Sequence, residues 1–154
     1  MYTTILALHS LLRWLVVLSL LYAIFRSYAG WLGKKQFEKQ DNMARVFAII
    51  FSHIQLIIGL WLYFVSPLIS YFLGNFKTAV HERQIRFFGM EHSIMMLLAV
   101  IVITIGGARA KRMPTDARKF KTMAIWFTIA LVVILSSVPW PFSPMVARPY
   151  FRGF

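Results

Sequence analysis

Ionisable side chains interrupt apolar stretches that are otherwise long enough to cross a membrane. They are His9 and Arg13 in the first stretch, His53 in the second, and Glu91 and His92 in the third. Because placing such a group in hydrocarbon costs several kcal/mol, an ionisable residue inside a span is by default a candidate for function. Histidines on three stretches can bind a metal ion or a haem iron, so this chemistry is considered first.

Composition excludes several other kinds of site. The chain has no cysteine, which removes disulfides, iron–sulfur clusters, thiolate zinc sites and covalent c-type haem attachment. A metal must therefore be held by histidine, methionine or carboxylate. Met90, Met95 and Met96 lie near His92, but methionine in a membrane core more often serves packing. No P-loop, nucleophile triad or HExxH run indicates a hydrolase.

Four apolar stretches must position these residues. The chain has 154 residues, is 59% hydrophobic and has a mean hydropathy of +0.67, as expected of a polytopic membrane protein. Each stretch is near the ~20 residues that a helix needs to cross ~30 Å of hydrocarbon. The stretches are Thr4 to Phe25, Ala44 to Val65, Phe87 to Gly106 and Met123 to Val138. We predict an all-α, four-helix membrane bundle that forms one domain, with the first helix retained rather than cleaved.

The positions of lysine and arginine predict the orientation of this bundle. Eleven of the 17 basic residues lie in or at the border of the connections between the first two and the last two spans, and five lie in the middle connection and the C-terminal tail. By the positive-inside rule, the two basic connections are cytoplasmic and both termini lie outside. Basic loops beside an anionic inner leaflet then explain the net charge of +12 without nucleic acid. We expect a bacterial inner membrane.

Two segments outside the spans are unusually apolar. The connection from Ser66 to Arg86 is predicted to form a short helix on the membrane face, where it could cover a site in the outer leaflet. The tail from Pro139 to Phe154 carries five aromatic residues. Such a tail needs a surface, either on this bundle or on another membrane subunit.

Helix geometry places two of the histidines at one depth. With a rise of ~1.5 Å per residue, His9 lies on the order of 8 Å below the outer boundary, and His92 lies at nearly the same level. His53 lies near the midplane. Histidines matched in depth on two helices suit the axial ligands of one haem. Gly89 shares the face of His92 and leaves room for a flat macrocycle.

Arg13 and Glu91 fit either a ligand site or a structural ion pair. Arg13 follows His9 by four residues, so its guanidinium can serve a haem propionate, a quinone oxygen or Glu91. The histidines have a structural alternative as well, because a single histidine inside a span more often bonds a neighbouring helix than a metal. His53 with Gln55 fits such an interhelical contact.

The run Leu8-His9-Ser10-Leu11-Leu12-Arg13-Trp14 has a histidine at the outer end of the first helix, an arginine one turn on and an adjacent tryptophan. It resembles the first helix of small bacterial four-helix membrane proteins described as cytochrome b-like, and the wider cytochrome b561-type bundles. The resemblance extends in hydropathy over Tyr2 to Val138. It implies haem b held by His9 and His92, and electron transfer between quinol and a partner within a respiratory or other quinol-linked oxidoreductase complex. The fourth span has no histidine, which argues against two bis-histidine haems.

Two other classes of protein fit the same residues. The first is a cofactor-free accessory subunit that packs against a larger assembly through its apolar faces and aromatic tail. The second is a small transporter or proton relay that uses Arg13, Glu91 and His53. Transporters usually show internal repeats and broken helices, and neither is evident here.

Overall fold

The computed structural model describes residues 1–143 and 146–151, and within this part the chain is all-α. Four helices are long and apolar enough to cross a membrane. The third of these candidate spans runs from Arg83 to Arg112. The predicted four-helix membrane bundle is therefore confirmed, and the chain is a multi-pass membrane protein. The four long helices are α1 (Tyr2–Leu32), α2 (Lys39–Val65), α6 (His92–Arg112) and α7 (Asp116–Ser137). The connection between α2 and α6 contains α3 (Pro67–Gly74), α4 (Phe76–Ala79), α5 (Arg83–Arg86) and a π-helical turn (Phe87–Glu91).

The helices extend beyond the apolar stretches at the end that carries the basic connections. We call this the basic end, and the opposite end, with Met1 and α3, the N-terminal end. Helices α2 and α7 begin at this end with polar residues, and the start of each is capped. Glu38 and Asp41 form a reciprocal capping box at α2, and the Thr115 hydroxyl accepts a hydrogen bond from the Arg118 backbone N–H at α7. That the basic end is cytoplasmic stays a prediction.

The packing order of the long helices determines which residues face one another. Helix α1 packs against α2 and α7, and α6 packs against the same two helices. Helices α1 and α6 are therefore diagonal partners, and their inward residues meet across the bundle centre. His9 lies on α1 and His92 on α6, so the two histidines come from opposite corners of the bundle.

Close contacts hold the bundle together at its basic end. A Cβ atom at Gly30 would collide with the ring of Phe120, and one at Gly107 would lie 2.5 Å from Cδ1 of Ile49. Small residues let helices approach in this way, which is a main source of helix association in membranes. A core of fully buried side chains continues from there toward the bundle centre, formed by Leu20, Ala23, Ala48, Ala99, Ile103, Met123, Phe127 and Ala130.

The connection between α2 and α6 covers the N-terminal end, as the apolar content of this segment predicts. Phe72 of α3 is buried, whereas Leu73 of α3 and Phe76 at the start of α4 are exposed, which suits short helices at a membrane face. The phenol of Tyr71 donates to a Glu82 carboxylate oxygen 3.3 Å away. The charge of this carboxylate and the hydrogen bond raise the pKa of Tyr71.

Candidate functional site

A cavity of about 380 Å³ lies inside the bundle at the N-terminal end. Its volume falls within the ~300–1,000 Å³ typical of small-molecule sites. His9, Arg13 and His92 all line it, so the structure brings together three of the residues selected from the sequence. Apolar side chains form much of the remaining wall, including Val16, Leu56, Leu60, Met96, Val100 and Ile134.

His92 is held in a defined orientation. Its Nδ1 lies 2.8 Å from the backbone carbonyl oxygen of Ser137 on α7. Because a carbonyl oxygen can only accept, Nδ1 carries the proton and Nε2 keeps its lone pair. A histidine that ligates a metal is commonly oriented by such a bond from its other ring nitrogen. His92 follows directly on the π-helical turn, a feature that is frequent at functional sites.

His9 reaches the cavity from the diagonal helix. Its buried Nδ1 has no hydrogen-bond partner among the described residues. Gly59 of α2 makes space for the ring, since a Cβ there would lie 3.1 Å from Cε1 of His9. Gln55 donates to the His9 backbone carbonyl over 2.9 Å, while its own buried Oε1 has no partner in the described part of the chain. A buried polar atom without a partner costs about 1–3 kcal/mol, so His9 fits a site that a ligand completes.

Arg13 is accommodated inside the span by the C-terminal tail. Its Nη2 donates to the backbone carbonyl oxygen of Tyr150 over 2.6 Å, and Trp14 Nε1 donates to the same oxygen over 3.3 Å. The guanidinium carbon lies 5.3 Å from the ring centroid of Trp14 and 5.5 Å from that of Trp140. A carbonyl oxygen and the faces of aromatic rings both attract a cation, so they stabilise the guanidinium in a low-dielectric setting.

Residues 146–151, which we call the C-terminal strap, return along the N-terminal end of α1. Trp14 packs on Tyr150 and Phe151, with ring centroids 6.3 and 5.8 Å away. Arg148 lines the cavity, with its guanidinium carbon 5.4 Å from the ring of Phe88. The strap therefore packs on this bundle, which is one of the two surfaces that were predicted for the tail. A contact with another subunit stays a prediction, and residues 144–145 and 152–154 lie outside the described part.

Sequence reasoning missed Arg148 as a site residue. Spacing within one helix relates residues three or four positions apart, and Arg148 is 135 positions from Arg13. The one available signal was the aromatic content of the tail, which predicted docking but not which charge the tail would deliver.

The ion pair between Arg13 and Glu91, one of the two alternatives for these residues, is not formed. Glu91 instead pairs with Arg86, five residues earlier, over 2.6 Å between Nε and Oε1. Arg86 also donates to the Val80 carbonyl oxygen over 3.2 Å, so this pair belongs to the connection rather than to the cavity. Of the two alternatives for Arg13, the ion pair with Glu91 is therefore not formed, and Glu91 bonds within its own segment, at the π-helical turn.

Gly89 and His53 do not line the cavity. The ring of Phe72 fills the space beside Gly89, so the missing side chain makes room for α3 and not for a macrocycle.

The Nδ1 of His53 lies 2.8 Å from the Ile49 carbonyl oxygen of its own helix, and its Nε2 lies 3.4 Å from the Thr104 hydroxyl on α6. His53 therefore makes the interhelical contact that was its structural alternative. The proton-relay alternative uses Arg13, Glu91 and His53. These three side chains bond different groups and do not form one cluster.

The cavity wall is cationic and rich in hydroxyls. It contains two arginines and two histidines, and no aspartate or glutamate of the described residues lines it. Its hydroxyl groups come from Tyr2, Ser10, Ser52, Tyr63, Ser66 and Ser93. No cluster of three or more histidine, cysteine, aspartate or glutamate residues that could hold a metal ion occurs in the described chain. Two histidines suit an iron whose other ligands come from a macrocycle.

Comparisons with known proteins give no further guidance, since no family model, curated protein or solved structure matches the chain. The cytochrome b-like resemblance of residues 8–14 stays a prediction.

Proposed function

We propose that this chain is a b-type haem protein of a bacterial inner membrane that passes electrons between quinol and a redox partner. One observation carries the proposal. His9 and His92, from diagonal helices, line one cavity, and each keeps a ring nitrogen that bonds no described residue. Paired histidines on facing helices are the usual haem ligands of helical bundles.

The residues of the cavity fit this group in three respects. His9 and His92 would supply the two axial ligands, and the bond to the Ser137 carbonyl fixes the ring orientation of His92. Arg13 and Arg148 provide positive charge for propionates, and Arg13 can alternatively contact a quinone oxygen. The apolar part of the wall would limit the access of water to this group, and with the ligands it would set the reduction potential. When bound, haem b supplies an iron that takes up and releases one electron.

A reduced-minus-oxidised absorption spectrum of the purified full-length protein tests the proposal. We expect sharp b-type bands. His9→Ala and His92→Ala should each abolish or grossly shift them, because each would remove one of the two side chains proposed to hold the haem iron. His53→Ala is the matched control, since it removes a span histidine that does not line the cavity. Size-exclusion profiles and helical circular dichroism must remain unchanged in all variants. A flat spectrum in wild-type protein expressed with excess haem would refute the proposal.

A second candidate is the cofactor-free accessory subunit, which the exposure of α2 favours. Of the four spans, α2 buries the smallest share of its apolar window, 11%. Its exposed residues include Ile57, Trp61 and Phe64, at 65%, 51% and 81%. This face can meet lipid or another membrane protein. A flat spectrum, together with co-migration in a larger complex in mild detergent, would support this candidate over the haem protein.

A further inference from the structure

Helices α2 and α6 run antiparallel along one side of the bundle, and two contacts fix which of their residues face one another. Toward the basic end, Nε2 of His53 lies 3.4 Å from the Thr104 hydroxyl. Toward the N-terminal end, the phenol of Tyr63 donates to the Gly89 carbonyl oxygen over 2.9 Å. Residues 53–63 of α2 therefore face residues 89–104, which belong to the π-helical turn and α6.

Between these two contacts, facing residues of both helices line the cavity. They are Leu56 and Leu60 on α2, and Ser93, Met96 and Val100 on α6. At ~1.5 Å per residue, the rise from residue 53 to residue 63 is about 15 Å. The cavity thus extends between α2 and α6 over this length, and we call this part of it the window.

The window opens onto an apolar surface. Leu60 lines the cavity and is also 47% exposed, so it marks the place where the cavity reaches the outside of the bundle. Exposed residues beside it are apolar, including Ile57 and Trp61 on α2 and Ile94 and Leu97 on α6. Both helices belong to candidate membrane spans, so this surface meets hydrocarbon. A molecule that enters through the window comes from the lipid phase.

A hydrogen-bond acceptor lies next to the window. Gln55 precedes Leu56 and lines the cavity. Its Nε2 donates to the His9 backbone carbonyl oxygen over 2.9 Å, which fixes the amide, because the reverse orientation would bring two oxygens together. Its Oε1 is buried and has no hydrogen-bond partner among the described residues. An amide oxygen can only accept, so the group that completes it must donate, as a hydroxyl does and a carbonyl does not.

We propose that the window is the docking site of an isoprenoid quinol, whose hydroxyl head bonds Gln55 Oε1 and whose apolar tail lies in the lipid beside Leu60. Sites of this kind combine a mostly apolar wall with a few polar groups that orient the ligand. The reduced form fits because its hydroxyl donates, whereas the carbonyl of the oxidised quinone would meet the Gln55 oxygen as a second acceptor. The choice of a quinol rests on the proposed function, and the window itself does not.

Photolabelling of the full-length protein in lipid nanodiscs tests the docking site without requiring haem. The probe is a decyl quinol with a diazirine in its tail, used anaerobically, and labelled residues are identified by peptide mass spectrometry. We expect label on α2 and α6 at the window, and excess decylubiquinol should suppress it. Label confined to other parts of the chain, or label that decylubiquinol does not suppress, would overturn the proposal.

Variants that fill the window should block this labelling. Leu60→Trp should reduce the label on α6 about tenfold, because the larger side chain occupies the opening. Met96→Trp fills the window from α6 and should reduce the label on α2 to a similar extent. Ile57→Trp is the matched control, since Ile57 is 65% exposed on the same helix as Leu60 and does not line the cavity. Labelling of both window variants at the wild-type level would overturn the proposal.

The role of Gln55 is tested by competition against the same label. Decylubiquinol should compete about tenfold more strongly than its dimethyl ether, which has no hydroxyl to donate. Gln55→Leu should bring the two competitors to near parity, whereas Gln84→Leu, at an exposed glutamine outside the cavity, should keep the preference. A preference that survives in Gln55→Leu would overturn the proposal. A flat haem spectrum with label at the window would refute the haem and leave the docking site standing, and b-type bands without this label would do the reverse.

Discussion

The two ends of the bundle use the same four helices for different purposes. At the basic end, Arg26 Nη2 lies 2.7 Å from the buried Asp41 carboxylate, and Arg45 donates to the Asn42 side chain and to the Gly107 carbonyl. At the N-terminal end, three buried polar atoms lack partners among the described residues, those being His9 Nδ1, Arg13 Nε and Gln55 Oε1. Satisfied groups stabilise a fold, and unsatisfied ones indicate where a ligand belongs.

Side-chain size accounts for part of this difference. Glycine and alanine bring the helices together at the basic end, so little space remains between them. At the N-terminal end the bundle is closed by α3 and the C-terminal strap rather than by helix contacts, and the cavity remains. We therefore expect substitutions at the basic end to change stability, and substitutions at the N-terminal end to change ligand binding.

Gly30→Leu should have the largest effect on stability. The added side chain would collide with Phe120, which is 1% exposed and has little freedom to move. Overpacking of this kind costs about 1–3 kcal/mol in soluble cores, and we expect more than about 3 kcal/mol because two helices must separate. Unfolding by dodecyl sulfate in mixed micelles measures the loss. Gly74→Leu is the control, since no atom lies within 4 Å of a Cβ there. Equal losses in both variants would show that close packing at Gly30 is not the cause.

Asp41→Ala should have the next largest effect. Its carboxylate is 3% exposed, bonds Arg26 and accepts from the Glu38 backbone N–H. Breaking a buried pair costs about 3–5 kcal/mol, but Arg26 is partly exposed, so about 2–3 kcal/mol is expected.

The control for this variant is Asp116→Ala. Asp116 pairs with Lys119 three residues away and is 38% exposed, so its loss should cost clearly less than the loss of Asp41. The same titration in dodecyl sulfate compares the two variants. If Asp116→Ala is as damaging as Asp41→Ala, burial of the carboxylate does not determine its contribution.

The sequence predicted the bundle well and the site only in part. Span number follows from the length of apolar runs, which is a local property. The depth match of His9 and His92 follows from helix rise, and both residues do line one cavity. The ion pair of Glu91 with Arg86 depends on a π-helical turn. The position of Arg148 in the cavity wall depends on a C-terminal tail that folds back onto the bundle. The first is a local backbone feature and the second a tertiary one, and hydropathy encodes neither. The open side of Gly89 was assigned to a macrocycle because the packing of α3 against it is a tertiary feature as well.

Gly59→Leu should affect the N-terminal end more than the stability of the bundle. The new side chain would displace the His9 ring, whose Cε1 lies 3.1 Å from the position of the added Cβ. Because the cavity can absorb part of the volume, we expect a loss of about 1–2 kcal/mol in stability. Haem uptake, followed by the b-type bands, should fall strongly. Unchanged bands would mean that the position of His9 is not critical for the ligand, and would contradict its assignment as an axial ligand.

His53→Ala should have the smallest effect of the series, although His53 is, like His9 and His92, a histidine inside a span. One of its ring nitrogens bonds a carbonyl of its own helix, and the other makes a long contact of 3.4 Å to Thr104. Polar contacts between membrane helices average about 0.6 kcal/mol, so a loss below about 1 kcal/mol is expected. The comparison with His92 is direct, since both bond a backbone carbonyl through Nδ1 but only His92 lines the cavity. A larger loss of stability would show that the interhelical contact of His53 is stronger than an average one. Any loss of haem bands would place function outside the N-terminal end and break the contrast between the two ends.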